Sequence, residues 1–490
     1  MRPDSFHPFP GASGLEVSTA TPTNPNACGH FARQRPQLTR LMKTTLTGSI
    51  AATLVLLTVS AHAGLFTLTP FTGDADSTIT ADGAYTHAIN VAGTGNLSVN
   101  GAVFTGSGGG GNPSTNDYSV ASNPNVFTGF GTPVTGNIGT ALSDFTYNGN
   151  PATVTLNNLR VGQAYESVFY NTAFGPAGGR FVTVTANGAD AFLFDENATP
   201  GSLLTYGFTA TTSTMTFALT PSNPADTFHT YAFSNRLVGY KALLTDNFYA
   251  PSNPDTNNVN FNLAARQGGA LVAGGGPISY TSNGNNQVGN NTGGIDSGNY
   301  LLNAGGAAAI NHNFKGSESA GGMSVSFDFA PNSIGNGDTT VWEGICLGLS
   351  DADRNAGINA GVAHFGILFR GNGGIQAFDG GSVVSGAETW GAGSTNALHH
   401  VELLLTDPTD SNPFDGVGRT DIAVYSDGSL IFNYSKTGGG YAENNLNFAS
   451  AFVSGADNVM IAQLVPEPSA FALLGLGGLA LLRRRRQGAC

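Results

Sequence analysis

The sequence predicts an all-β protein, with two β-sandwich or jelly-roll domains between an N-terminal signal peptide and a single C-terminal hydrophobic helix. Two observations carry the β assignment. Runs such as Ala152-Thr153-Val154-Thr155-Leu156, Phe181-Val182-Thr183-Val184-Thr185 and Thr214-Met215-Thr216-Phe217-Ala218-Leu219 alternate polar and apolar residues, the period of half-buried antiparallel strands. Turn residues separate them, above all the 69 glycines, and helical periodicity is nearly absent. A third observation frames the other two: apolar segments with secretory and membrane character stand near the two ends.

At the N-terminus, Met42-Lys43 opens a short basic region, Ile50 to Val59 form an apolar core, and Ala61-His62-Ala63 has the small-x-small pattern of a cleavage site. Residues 42–63 therefore read as a secretory signal peptide, with the mature chain starting near Gly64. Residues 1–41 are Pro-rich and without periodicity, and read as a mis-assigned or disordered extension ahead of the true start at Met42. The body from 64 to 464 holds ten basic and 29 acidic residues, a formal charge of −19. Such a surface repels nucleic acid and anionic lipid, so nucleic-acid partners are not expected. Cys28 and Cys490 lie outside this body, which leaves Cys346 alone in an apolar run and permits no internal disulfide.

The first sandwich is placed at 65–244. Within it, Asn158-Leu159-Arg160-Val161-Gly162-Gln163-Ala164-Tyr165 sets a turn between two strands, and Phe194-Asp195-Glu196-Asn197-Ala198-Thr199-Pro200-Gly201 forms a later loop. This order resembles galactose-binding-type jelly rolls. Asp195 and Glu196 are open to two readings, calcium ligands or a solvated loop.

The second sandwich is placed at 246–464, with the boundary near Thr245 to Asn262, where Asp246-Asn247-Phe248 is followed by a Pro/Asn-rich stretch. The Asn/Gly-rich passage from Ser282 to Asn299 reads as loops. Ile422 to Phe432 reads as a hairpin around Asp427-Gly428, a favoured two-residue turn. An early Asp-x-Phe, a strand beginning at His400 and then this hairpin resemble the concanavalin A-like lectin/glucanase (LamG-like) sandwich.

Chemistry is sparsely written in this body. Sandwich glucanases carry Glu-x-Asp-x-x-Glu on one strand, which sets two carboxylates on one face. The chain has no such run, and Glu343, Glu388, Glu402 and Glu443 stand singly. Zinc-protease, nucleophile-elbow and phosphate-loop motifs are likewise absent from the sequence, so no enzymatic activity is expected. Asp351, Asp353 and Asn355 alternate oxygen ligands as a calcium loop does, but Ala356 replaces the turn glycine and Val362 the closing glutamate. Calcium is the one cofactor this leaves open, against an ordinary solvated turn; Asp407, Asp410 and Asp415 pose the same choice. Trp342 and Trp390 either stack on sugar rings or fill the core. His399 and His400 are adjacent on a strand and face opposite ways, so they would not share a metal.

The chain ends on Val465-Pro466-Glu467-Pro468-Ser469, an apolar run from Ala470 to Leu482, and Arg483, Arg484, Arg485 and Arg486. The run falls short of the roughly 20 residues of a spanning helix, a deficit that flanking residues and local thinning can make up. Arginines on that flank stay cytoplasmic. Residues 465–490 in this order resemble the PEP-CTERM sorting segment of Gram-negative bacteria. The resemblance implies Sec-type export, a transient inner-membrane intermediate, processing by an exosortase near Pro466-Glu467-Pro468, and delivery to the cell surface or extracellular matrix. The expected role there is structural, adhesive or glycan-associated, with extracellular polysaccharide as a partner. A polysaccharide-active hydrolase with a non-standard site is the alternative.

Overall fold

The computed structural model describes residues 64–248, 261–262, 270–272, 277–290, 299–330, 342–386, 388–390 and 398–465. The extension, the signal peptide and the tail from Pro466 through Arg486 lie outside the described residues. Among the described residues no helix is long and apolar enough to cross a membrane.

The body is all-β, as its alternating runs require. In the N-terminal half, one sheet orders Leu65–Pro70, Gly201–Thr209, Ala164–Thr172, Ala232–Asp246 and Gly83–Asn90 as antiparallel neighbours. A second sheet orders Asp190–Asp195, Phe181–Ala186, Met215–Pro221, Ala152–Leu156 and Tyr118–Ala121. The inward residues of both sheets share one core: Phe66, Phe169, Leu204 and Phe233 meet Val154, Val184, Phe217 and Leu219. The Phe169 and Phe217 rings cross edge to face at 5.1 Å, the geometry aromatic pairs prefer. A separate cluster packs the six-residue helix Gly136–Ala141 through Ile138 and Ala141, beside Phe71, Phe104 and Tyr170. Asp74, distant in sequence, caps that helix by accepting hydrogen bonds from the Asn137 and Ile138 amides at 3.0 and 2.8 Å.

The C-terminal half is built around the long strand Asn445–Leu464, which pairs with Asn299–Asn313, Met323–Ala330 and Trp342–Leu349. Met323–Ala330 continues to His399–Thr406, Thr420–Ser426 and Ser429–Lys436. Trp342–Leu349 continues to Phe365–Arg370 and Ile375–Asp379. Phe327, Phe329, Ile345, Ile367, Leu403 and Val424 fill the core between these branches. The turn at Asp427-Gly428 has positive φ at both residues, 49° and 78°, as a two-residue hairpin of this kind demands. The Asn/Gly-rich passage expected to be loops contains the strand Tyr280–Asn290, paired along its length with Asn299–Asn313. Backbone hydrogen bonding, which needs no apolar alternation, builds it.

Ala232–Asp246 runs across the boundary expected at 244–246. Its first part pairs with Ala164–Thr172 and Gly83–Asn90, and its last part with Asn445–Leu464. The register breaks between Arg236 and Lys241, where Gly239 takes φ 81°. A residue without Cβ accepts that kink, and the strand bends from one half into the other.

Candidate functional site

Where the two halves meet, a cavity of about 590 Å³ opens between Gly83–Asn90, Met323–Ala330, the start of His399–Thr406 and the turn before Tyr118–Ala121. Asp328 and His400 are direct cross-strand partners in the antiparallel register, so both side chains emerge on the same face. Because Phe327 and Phe329 point into the core, Asp328 points the other way, toward the cavity. His400 Nδ1 lies 2.7 Å from Asp328 Oδ1, and Asn458 Nδ2 donates to Oδ2 at 2.7 Å.

The N-terminal half contributes Asp117 and His87. Asn158 Nδ2 donates to Asp117 Oδ1 at 2.9 Å. His87 Nε2 lies 2.9 Å from the Asp117 carbonyl oxygen. A carbonyl only accepts, so Nε2 carries the proton, and Nδ1 accepts from Thr86 Oγ1 at 2.9 Å. Burial disfavours the imidazolium and lowers the His87 pKa, with Asp117 opposing. One donor atom each from Asp117, Asp328 and His400 lies within 4.8 Å of the others, a set that could hold a cation.

Their protonation is coupled through space. Burial pushes the Asp117 carboxyl up to about 7, the Asp328 charge pushes the same way, and His400 and His87 pull back. For His400, burial disfavours the charge, but the hydrogen bond and charge of Asp328 overcome it and raise the imidazole to about 9. At neutral pH the cluster is thus an imidazolium clamped on one aspartate with a second, half-buried carboxyl facing it.

A second contact between the halves is closed. Arg160 pairs through Nη1 with Glu402, whose Oε1 also accepts from Ser324 Oγ. Arg160 Nη2 donates to Gln163 Oε1 at 2.6 Å and to Tyr240 at 2.8 Å, and the Tyr240 and Tyr425 rings flank the guanidinium at 5.5 and 5.7 Å. The side chains of Arg160 and Glu402 are 4% and 8% exposed, so this pair is buried.

The residues singled out from the sequence fall elsewhere. Asp351 is exposed and accepts from Asn445 and Asn313 at 3.0 and 3.2 Å, which lowers its pKa. Asp353 turns instead to Ser350 Oγ at 2.6 Å. Asp351 and Asp353 thus serve different partners, beside Asn355 in the same turn. Trp390 is core: its indole N–H donates to the Arg370 carbonyl at 3.0 Å, and its ring lies among Phe329, Phe369 and His399. Trp342 is half-buried against a different cluster, with Cys346, Ile358 and Leu368. Asp407, Asp410 and Asp415 each accept backbone amides of their own loop. Glu196 is buried beside His229 and Arg180, and burial pushes its pKa up to about 8. His399 and His400 diverge as strand alternation requires, His399 to Asp427 at 2.7 Å. Sequence reasoning weighed His400 only as a partner of His399 for a metal and missed both Asp117 and Asp328. Only the cross-strand register and the packing of the halves bring the three together.

Residues 464–486 match the PEP-CTERM protein-sorting motif, which marks a protein exported and sorted to the cell surface through an exosortase. No curated protein matches the chain. Among solved structures, the carbohydrate recognition domain of Emp47p is 12% identical, over 38% of this chain and 89% of that domain, with a TM-score of 0.25. Galectin LEC-6 of Caenorhabditis elegans is 12% identical over 30% and 89%, with a TM-score of 0.20. The ANX2 ectodomain of Arabidopsis thaliana is 9% identical over 78% and 97%, with a TM-score of 0.25.

Proposed function

We propose that the protein is a non-catalytic, glycan-associated component of the bacterial surface or extracellular matrix, delivered there by its sorting tail. The observation that carries this reading is the motif at 464–486 directly behind an all-β body. In this reading residues 42–63 direct Sec export, and Ala470 to Leu482 hold the chain briefly in the inner membrane. Arg483 to Arg486 stay cytoplasmic, and an exosortase cuts near Pro466-Glu467-Pro468. The tail is a temporary handle. Expression in a host that carries an exosortase tests it: the mature protein should lack Ala470 to Cys490 by mass. An intact Arg483–Arg486 on the surface form would make the handle a permanent anchor. For the glycan half, the exported body should sediment with extracellular polysaccharide, and failure to do so across neutral, acidic and amine-bearing polymers would remove that half.

One observation favours a hydrolase as the second reading. Asp117 and Asp328 approach each other with one carboxyl pushed up, the pattern of a glycosidic acid and its partner. Against it, Asp328 is 1% exposed and both its oxygens are engaged by His400 and Asn458, which blocks attack on a sugar. The expected result is no release of reducing ends; release abolished by Asp117→Asn would replace the first reading with the second.

A further inference from the structure

The cavity between the halves is lined unevenly in charge. Three aspartates, Asp117, Asp246 and Asp328, are among its lining residues, and none of the described lining residues is a lysine or arginine. His400 neutralises Asp328 across a 2.7 Å hydrogen bond, and Asp246 accepts from Tyr280 and the Phe248 amide. Asp117 has no cation of its own in this way. Its Oδ1 accepts from Asn158, and its Oδ2 accepts no protein hydrogen bond among the described residues. The volume of about 590 Å³ falls in the range of roughly 300–1,000 Å³ typical of small-molecule pockets, and a bare ion would leave most of it to water. The hydroxyl of Ser326 and the ring of Tyr85 complete the wall, giving a hydrogen-bond partner and an aromatic surface. The body around it is strongly acidic, which steers cations inward.

We infer that this cavity binds an amine-bearing saccharide, with the ammonium of a hexosamine-type unit seated on Asp117 and its hydroxyls against the polar wall. The inference rests on the glycan reading above and adds to it the ligand class and the place. Removing a charge-assisted contact of this kind costs tenfold or more in affinity, from about 1.5–3 kcal/mol per bond.

The test is calorimetric titration of the exported body with oligomers of glucosamine, their N-acetylated counterparts and uronic-acid oligomers, and separately with Ca²⁺ and Zn²⁺ alone. Glucosamine oligomers should bind, N-acetylation should weaken them about tenfold, uronates should not bind, and Asp117→Asn should remove the preference for the free amine. Equal binding of both hexosamine forms, or binding untouched by Asp117→Asn, overturns the inference. Zn²⁺ or Ca²⁺ binding abolished by Asp117→Asn, with no saccharide bound, overturns it in favour of a metal site. If polysaccharide is still retained while amine content makes no difference, this inference falls and the glycan reading stands; if no polysaccharide or oligomer is held, both fall. Should Asp117→Asn misfold, Ser326→Tyr, which narrows the cavity and leaves Asp117 in place, serves as the second variant and should abolish binding.

Discussion

Two charged contacts between the halves, the Arg160–Glu402 pair and the Asp117–Asp328–His400 cluster, use the same residue types to opposite ends. Arg160 and Glu402 are buried, and Arg160 is further held by Gln163, Tyr240 and two aromatic faces. Asp117, Asp328 and His400 stand at the wall of a cavity, with Asp328 clamped and Asp117 facing open volume. In the first, every charge is answered by a neighbour, so it can only hold. In the second, one carboxyl is left for something outside the chain, so it can bind. Buried charge becomes structure when it is paired and a site when the pairing is incomplete.

Breaking the closed contact should have the largest effect. Arg160→Met leaves Glu402 buried without its cation, and the expected loss is about 3–5 kcal/mol, read as a lower urea midpoint. Loss below about 1 kcal/mol would show that the pair is solvated and not a lock.

The open contact should reveal itself through pH. The folded pKa of His400, about 9, exceeds its ordinary 6.5. The stability it contributes is therefore fully present below about pH 6.5 and is lost as pH rises through 9, a change on the order of 3 kcal/mol. His400→Gln should flatten the difference between unfolding at pH 6 and pH 9.5 relative to wild type. An unchanged slope would separate His400 from the junction's energetics.

A smaller effect is expected at the hairpin tip that docks on the N-terminal half. A Cβ at Gly428, already at positive φ, would meet the Leu159 carbonyl oxygen at 2.1 Å. Gly428→Ala should cost about 2 kcal/mol and lower the melting temperature without changing the spectrum of the folded state. A neutral result would mean that the tip shifts freely.

Much of the strand content was legible, because alternation and turn chemistry are local. The hairpin around Asp427-Gly428 appears in the structure with Ser426 opposite Ser429 and Tyr425 opposite Leu430, as its turn residues imply, before a bulge shifts the register at Val424. Local pattern failed where backbone pairing did the work, as in Tyr280–Asn290, and at Ala232–Asp246, whose two ends pair in different halves. The site was less legible than the fold. Asp351 and Asp353 share a short motif, yet the fold gives them different partners. Asp117 lies 211 positions before Asp328 and 283 before His400, and no spacing rule joins them. Trp390 carried the chemistry of a sugar platform, but the residue is 3% exposed.

Whether holding and binding separate decides what the junction does. Urea unfolding and retention on an amine-bearing polysaccharide should be measured side by side for wild type, Arg160→Met and Asp117→Asn at pH 7.5. Arg160→Met should lose stability and keep its retention in native buffer. Asp117→Asn should be no less stable than wild type, because burial already disfavours its charge, and should lose retention. If the two properties fall together in both variants, the junction is a single structural contact and the cavity is not a binding site.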